Sequence, residues 1–548
     1  MPTDCISYQN SGYFSPLMND YLEQKSNLQS LYNRFPNLEN FEAQIEEKKI
    51  NFHSPALSEG EVEEINNKAI SCNKREILVS VLEAQYAQIN ASETTLNNIK
   101  LLNNSNTFTI TTGHQLNLFS GPLYFLYKII STINLTKELK AKYPSQNFVP
   151  IYWMATEDHD FDEINYFNFK GRKFRWNTES TGPVGRLSTE GLAEFFEVYA
   201  QELGSGKNAE TIKKLFQESY LNHSTLADAT RFLANELFGE YGLVILDADD
   251  LDLKRTFIPC IKEELTKQTS YKKVSETIEK LKNYTIQVNP REINLFYMED
   301  NLRERIILEN GIYKVNNTQT AFSETEILEL VESHPEKFSP NVIMRPLYQE
   351  VILPNLCYIG GGGEIAYWLE LKSFFDAVKV TFPILLLRNS VLLATEKQAK
   401  KADTLGLTWK DLFSKQSDLV NTKTAELSEF PIDFSIQKEH LQKQFEDLLA
   451  IANQTDKSFL GAVKAQEAKQ IRGLENLEKR LLKAQKRNHS ATLDRITNLQ
   501  NELFPNKSLQ ERQANFSEFY IDNGDTFLLQ LFNQLKPLEN NFNKIILP

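Results

Sequence analysis

The stretch TFTITTGHQLNLFSGPLYFLYKIISTINLTKELKAKYPSQNFVPIYWMAT, Thr107 to Thr156, decides the fold. TFTITT, with the β-branched and aromatic run Phe108 to Ile110, predicts a strand. PLYFLYKIISTINLTKELKAKY is a long amphipathic stretch and predicts a helix. FVPIYWMAT predicts a second strand. Strand, helix, strand is the order of a βαβ unit, and two parallel strands need such a crossover between them. The fold class is therefore α/β with a parallel sheet.

Ahead of this unit, LEQKSNLQSLYNRF and REILVSVLEAQYAQIN carry apolar residues at helical spacing, a helical preface. Behind it, YFNFKGRKFRWNTES reads as a β-hairpin about Lys170-Gly171, followed by helical material from Glu190 to Glu240. GLVILDADD, Gly242 to Asp250, is a short apolar run ending in carboxylates, as a buried parallel strand opening onto a site would be. INLFYMED, ERIILEN and GIYKV are short strands of a mixed insertion. NVIMRPLYQEVILPNLCYIGGGGEIAYWLEL and FPILLLRNSVLLATEK return to apolar strands joined by a glycine-rich turn and a helix. The expected boundaries are 1–165 for the helices and first half of the core, 166–240 for a first insertion, 241–270 core, 271–335 a second insertion, 336–434 the second half of the core, 435–510 an antiparallel coiled-coil arm, and 511–548 a C-terminal segment packing on the core. In the arm, Leu460, Val463, Leu474, Leu477, Leu481 and Ala484 fall on one seam, which Ile496, Leu499 and Leu503 continue after a one-residue skip. Such a stripe must pack internally or on a second subunit.

The 548 residues include 73 acidic and 60 basic side chains, a net charge of -13 that argues against a globally nucleic-acid-binding surface. Lys457 to Arg495 is locally basic, ten against four, read as a solvated coiled-coil face. The start, MPTDCISYQNSGYF, lacks the basic and apolar regions of a targeting segment, and Phe382 to Ala394 is too short and too interrupted to span a bilayer, so a cytoplasmic protein is expected. Cys5, Cys72, Cys260 and Cys357 form no CxxC pair, which fits a reducing compartment and excludes a cysteine-rich zinc site.

Three clusters carry chemistry. In TTGHQ, Thr112, Gly113, His114 and Gln115 stand between strand and helix, where glycine admits a ligand to the backbone and the helix start directs N–H groups at an anion. Thr111 to His114 fits the T/H-x-G-H signature of nucleotidylyltransferases and class I aminoacyl-tRNA synthetase-like folds. Next, ATEDHDFDEIN crowds Glu157, Asp158, His159, Asp160, Asp162 and Glu163 at the carboxyl end of the second strand. Crowded carboxylates can raise a pKa, as a general base for an amine requires, and His159 with a carboxylate can instead hold a divalent metal. The third is YIGGGGEIAYW, where Gly361, Gly362, Gly363 and Glu364, with Tyr367 following, expose N–H groups at a helix start, a cradle for phosphate or carboxylate. It is not the dinucleotide fingerprint, since Ile365 stands where the last glycine would be. Arg345 in MRPLYQE and Arg388-Asn389 in LLLRNS lie in or beside apolar runs, so each arginine should have an anionic partner, from the protein or from a substrate.

Together, TTGHQLNLFSGPLYFLYKIISTINL, PIYWMATEDHDFDEIN, MRPLYQEVILPNLCYIGGGGEIAYW and LLLRNS, in this order and over nearly the whole chain, resemble the cysteine ligase family of bacillithiol biosynthesis. The resemblance implies a Rossmann-like core of the class I synthetase kind with two connecting-peptide insertions, a coiled coil that supports a homodimer, and the joining of cysteine to glucosaminyl-malate. A carboxylate is a poor acyl donor, so amide formation implies activation, most simply by ATP to an adenylate. His114 and backbone N–H groups would face the phosphate, Asp158, Asp160 or His159 would take the amine proton, and the glycine loop with Arg345 or Arg388 would hold the malate carboxylates. The lysine loop that usually accompanies the first motif is missing, TEKQAKK lacking its pattern, and no cysteine lies near TTGH or EDHD in sequence, although folding can bring Cys357 close. A nucleotidyl transferase using TTGH, and a ligand-binding scaffold with a coiled-coil partner site, are the competing readings.

Overall fold

A computed structural model describes residues 6–7, 38–52, 74–455, 457–539 and 541–548. The expected helix over LEQKSNLQSLYNRF, with Cys5 and Cys72, lies outside the described residues. By contacts the chain divides into two units, residues 1–392 with 509–545, and residues 393–508 with 546–548. The break thus falls at 392/393, not at the expected 434/435, because the strand Ser390–Thr395 passes directly into a run of helices from Glu396.

The first unit is built on five parallel strands: β1 (Thr107–His114), β2 (Asn147–Met154), β3 (Val244–Asp247), β4 (Asn355–Gly360) and β5 (Ile384–Leu387). Their order across the sheet is β5-β4-β1-β2-β3. Every residue of β1 is buried, as the central strand of a sheet covered on both faces should be. Helix α1 (Tyr124–Lys142) makes the crossover from β1 to β2. Chain order runs outward from β1 to β3 on one side, then restarts on the other side with β4. That reversal leaves a crevice at the carboxyl ends of β1 and β4, where open α/β sheets bind ligands.

After β2 comes the hairpin of Tyr166–Phe169 and Arg172–Arg175. Its turn residues Lys170 and Gly171 have φ of 49° and 75°, the left-handed pair that a two-residue hairpin turn needs. The helices Leu192–Leu203, Lys207–Phe216 and Leu226–Phe238 follow. Between helix α2 (Leu251–Lys267) and β4 lies an antiparallel sheet of Leu295–Glu299, Leu302–Glu309, Ile312–Val315, Ala321–Phe322 and Phe338–Pro340, so the inserted sheet extends to Pro340, past the expected end at 335. The segment NVIMRPLYQEVI, read as strand, is largely helix: α3 spans Met344–Ile352. Met344, Leu347, Tyr348 and Val351 are buried at helical spacing, and Pro346 sits in the first turn, where it removes no helical hydrogen bond. Helix α4 (Gly362–Leu369) follows β4.

In the second unit, α5 (Ser435–Ala452) and α6 (Lys457–Asn488) form an antiparallel pair, closed near the turn by Phe445, Ala452 and Val463 and tied further out by the Lys438–Glu478 ion pair. Glu478 faces α5, which turns Leu477 away: it is 52% exposed and leaves the expected seam. The one-residue skip is a helix break at His489, after which α7 (Ser490–Leu503) buries Ile496, Leu499 and Leu503. Gln500 of α7 donates to the carbonyls of Leu412 and Ser414, so this stripe packs on the unit's own helices instead of continuing the coiled-coil seam. Among the described residues no helix is long and apolar enough to cross a membrane.

Candidate functional site

At the reversal of strand order a cavity of about 740 Å³ is walled by the ends of β1, β2 and β4, by the loop after β2 and by the inserted sheet. On the β1 wall, Thr112 donates to the carbonyl of Ile359 at 2.8 Å and is a tie between strands, not part of the lining. A Cβ at Gly113 would stand 3.2 Å from Tyr358 Oη and 3.8 Å from Arg345 Nη1, so glycine lets β4 and α3 bring these side chains against the strand. The Gly113 carbonyl accepts from Lys128 Nζ at 2.6 Å. His114 lines the cavity at 7% exposure, packed on Tyr124 and Phe125, and its Nε2 has no hydrogen-bond partner among the described residues. Burial, then the charges of Lys128 and Arg388, hold its pKa well below the usual histidine range. His114 is a neutral imidazole.

On the β4 wall, Glu364 accepts from Tyr358 Oη and from the Gly361 N–H, each at 2.8 Å, and pairs with Lys128 at 2.6 Å. Burial alone would raise its pKa, but Lys128 and these hydrogen bonds outweigh it and keep the carboxylate ionised. Gly361 and Gly363 line the cavity and Gly362 does not; a Cβ at Gly363 would meet nothing within 4 Å, so its backbone is open to a ligand.

The two arginines divide. Arg388 pairs with Glu511 at 2.7 Å, and Asn389 bonds Ser131 and the Lys536 carbonyl outside the cavity. The protein itself thus supplies Arg388's anion, and Asn389 is structural. Arg345 instead lies over Trp153, Tyr358 and Trp368, at 5.7 to 5.8 Å from their rings, and donates to Gln349 and to Tyr367 Oη. It has no carboxylate within 4.0 Å among the described residues, so of the two expected sources of its anion the protein does not supply one.

In the loop after β2, Glu157 pairs with Lys254 of α2 at 2.8 Å. Asp158 accepts from Gln115 at 3.0 Å and from the His159 N–H. His159 Nδ1 meets Arg303 Nη1 at 2.6 Å; a guanidinium only donates, so Nδ1 is the acceptor and the ring proton sits on Nε2. Asp160 lines the cavity with no side-chain hydrogen bond or ion pair among the described residues. Burial, then the Asp158 charge, raise its pKa. Asp162 is 87% exposed on the far side, paired with Arg175, and leaves the candidate set. The first insertion fixes this loop: Val184 and Gly185 donate backbone N–H groups to the Asp158 and Thr156 carbonyls, and a Cβ on Gly185 would stand 2.6 Å from that of Thr156.

Cys357 does not line the cavity; it is buried in β4 among Phe108, Ile110 and Ile384. Among the described residues no three His, Cys, Asp or Glu side chains are grouped to hold a metal ion. Lys128, Arg303, Arg305, Arg291 and Arg512 line the cavity and were missed. Lys128 had a signal, a lone charge inside YFLYKII; Arg303 and Arg305 had one too, two arginines two residues apart in a strand.

Residues 1–389 match the family description "Bacillithiol biosynthesis BshC, N-terminal Rossmann-like domain", and residues 391–547 match its "C-terminal coiled-coil domain". The chain is 70% identical over 545 residues, covering 100% of both chains, to a Flavobacterium johnsoniae protein named "Putative cysteine ligase BshC". Proteins of the same name from Christiangramia forsetii and Staphylococcus carnosus are 56% and 30% identical, covering 99% and 79% of this chain and 98% and 83% of their own. With both domain descriptions matched end to end on a parallel-sheet core and a helical coiled-coil unit, the chain belongs to the BshC family of bacillithiol biosynthesis.

Proposed function

We propose that this chain forms the amide bond between the carboxyl group of cysteine and the amine of glucosaminyl-malate, with ATP as the activating nucleotide. A cysteine carboxylate oxygen attacks the α-phosphorus, pyrophosphate leaves, and the amine then attacks the acyl carbon while AMP departs and a proton passes to a base. One observation carries the reading: among the described residues, a single cavity holds a guanidinium, Arg345, with no carboxylate within 4.0 Å and a carboxylate, Asp160, with no ion-pair partner within 4.0 Å.

Arg345 and the open N–H of Gly363 receive the carboxylate and the phosphate that replaces it, with neutral His114 beside them. Asp160 takes the amine proton, a role its raised pKa suits better than a strongly acidic carboxylate. His159 is less suited to it, since its Nδ1 lone pair is held by Arg303. His114, Arg345 and the Gly363 N–H would meet the nucleotide's phosphate, and a divalent cation would enter with the triphosphate. The exposed stripe on the arm, with Leu448 and Ile451 at 44% and 57% exposure, supports pairing of two copies through the coiled coil. The reaction belongs in the cytoplasm, where ATP and free cysteine are found.

The test is thiol profiling of cells with and without the gene. Loss of bacillithiol with accumulation of glucosaminyl-malate supports the assignment, and unchanged thiol sinks it.

A further inference from the structure

The inserted antiparallel sheet presents one face to the cavity. Arg303 and Arg305 lie two residues apart in the strand Leu302–Glu309, so both project from the same face, and Arg305 is registered opposite Phe296, which lines the same cavity. Arg291 joins them from the loop before the first strand of this sheet, its backbone fixed at both N–H and carbonyl by Asn294.

The three guanidinium groups are not equivalent. Arg303 is fully engaged: it lies 4.1 Å over the Phe296 ring and donates to His159, Ser339 Oγ and the Pro340 carbonyl. Arg305 and Arg291 have no carboxylate or other side-chain partner among the described residues, in a protein with a net charge of -13. Two guanidinium groups that line the cavity with no anion opposite them leave their donors open to a bound anion, which a planar guanidinium pairs with through two N–H groups. The wall is also held in place. Arg186 bonds Asp249 after β3 and Asp300 in the turn of the inserted sheet, and Arg303 ties that sheet to the loop carrying Asp160.

We infer that Arg305 and Arg291 form a dicarboxylate-binding wall that recognises the malate end of the amine-bearing substrate, with Arg303 as its positioning residue. The inference rests on the proposed ligase reading and moves the malate carboxylates away from the glycine loop and Arg345. Geometry divides the cavity this way. The activated carboxylate belongs where Arg345 stands 3.8 Å from a Gly113 side-chain position, at the strand ends. The inserted sheet reaches the loop of Asp160 through His159, so an acceptor held by its carboxylates on that sheet brings its amine to the base.

Two probes separate a dicarboxylate from a polyphosphate wall: glucosaminyl-malate and inorganic tripolyphosphate, each titrated calorimetrically into the full-length protein and into Arg305→Gln and Arg291→Gln. Arg291→Gln lies on an exposed loop and keeps the test alive should the strand variant fail to fold. Each substitution is expected to weaken glucosaminyl-malate binding roughly 10- to 100-fold, the loss of a charge-assisted contact, and to leave tripolyphosphate affinity within about twofold. The reverse pattern, unchanged glucosaminyl-malate binding, or no binding of it by the unaltered protein at millimolar concentration overturns the inference. A protein that binds glucosaminyl-malate in this arginine-dependent way yet makes no amide from cysteine overturns the ligase reading alone.

Discussion

The glycine wall and the acidic loop are both crowded with charge, yet they differ in how the charge is matched. Beside the glycines Lys128 is answered by Glu364 and Arg388 by Glu511. In the acidic loop, among the described residues, Glu157 is answered by Lys254, Asp158 by a neutral amide, a backbone N–H and the His159 ring 3.9 Å away, and Asp160 by no side-chain hydrogen bond or ion pair. Matched buried pairs build a rigid frame because separating them strands a charge in a poor solvent. Unmatched groups remain available to a substrate. Arg345, held by aromatic faces instead of by a carboxylate, belongs with the acidic loop in this respect although it stands on the other wall.

The largest effect expected is on stability, at the matched end. Glu511→Ala leaves Arg388 buried without its anion and should cost about 3–5 kcal/mol in denaturant unfolding, whereas replacing both by apolar residues of similar volume should recover most of it. An equal loss in both variants would break the distinction. At the unmatched end, Asp160→Asn should lower kcat about 10²- to 10⁴-fold while unfolding stability stays within about 0.5 kcal/mol. Arg345→Lys keeps the charge but loses the planar fork, and roughly 10- to 100-fold in kcat/KM should go with it.

The smallest effect sharpens the comparison through pH. Asp160 must be ionised to accept a proton, so activity rises with pH through its raised pKa. Removing the neighbouring negative charge in Asp158→Asn favours ionised Asp160, lowers that pKa and moves the acid limb of the pH–kcat/KM profile to lower pH. A limb that moves upward, or stays, removes Asp160 from the base role.

Sequence periodicity exposed the parallel core because β1, α1 and β2 each keep one pattern for their full length, and the carboxyl ends of those strands then located Gly113, His114 and Asp158 to Asp160. It failed at α3, where Met344, Leu347, Tyr348 and Val351 lie in a run so apolar that strand and helix spacing look alike. It also failed at Asn389 and Leu477, whose roles depend on partners remote in the chain: Ser131 and Lys536 for the first, α5 for the second. Arg305 left only the trace of two arginines two residues apart, and Arg291 left none: the first meets the cavity from the paired inserted sheet and the second from the loop before it, with the other walls far away in sequence.

The most direct measurement combines the purified protein with ATP, cysteine and glucosaminyl-malate and follows products by mass spectrometry. The account predicts bacillithiol with equimolar AMP and pyrophosphate, dependent on all three substrates and lost in Asp160→Asn. AMP and pyrophosphate formed without cysteine, or no amide product from folded protein, would contradict it.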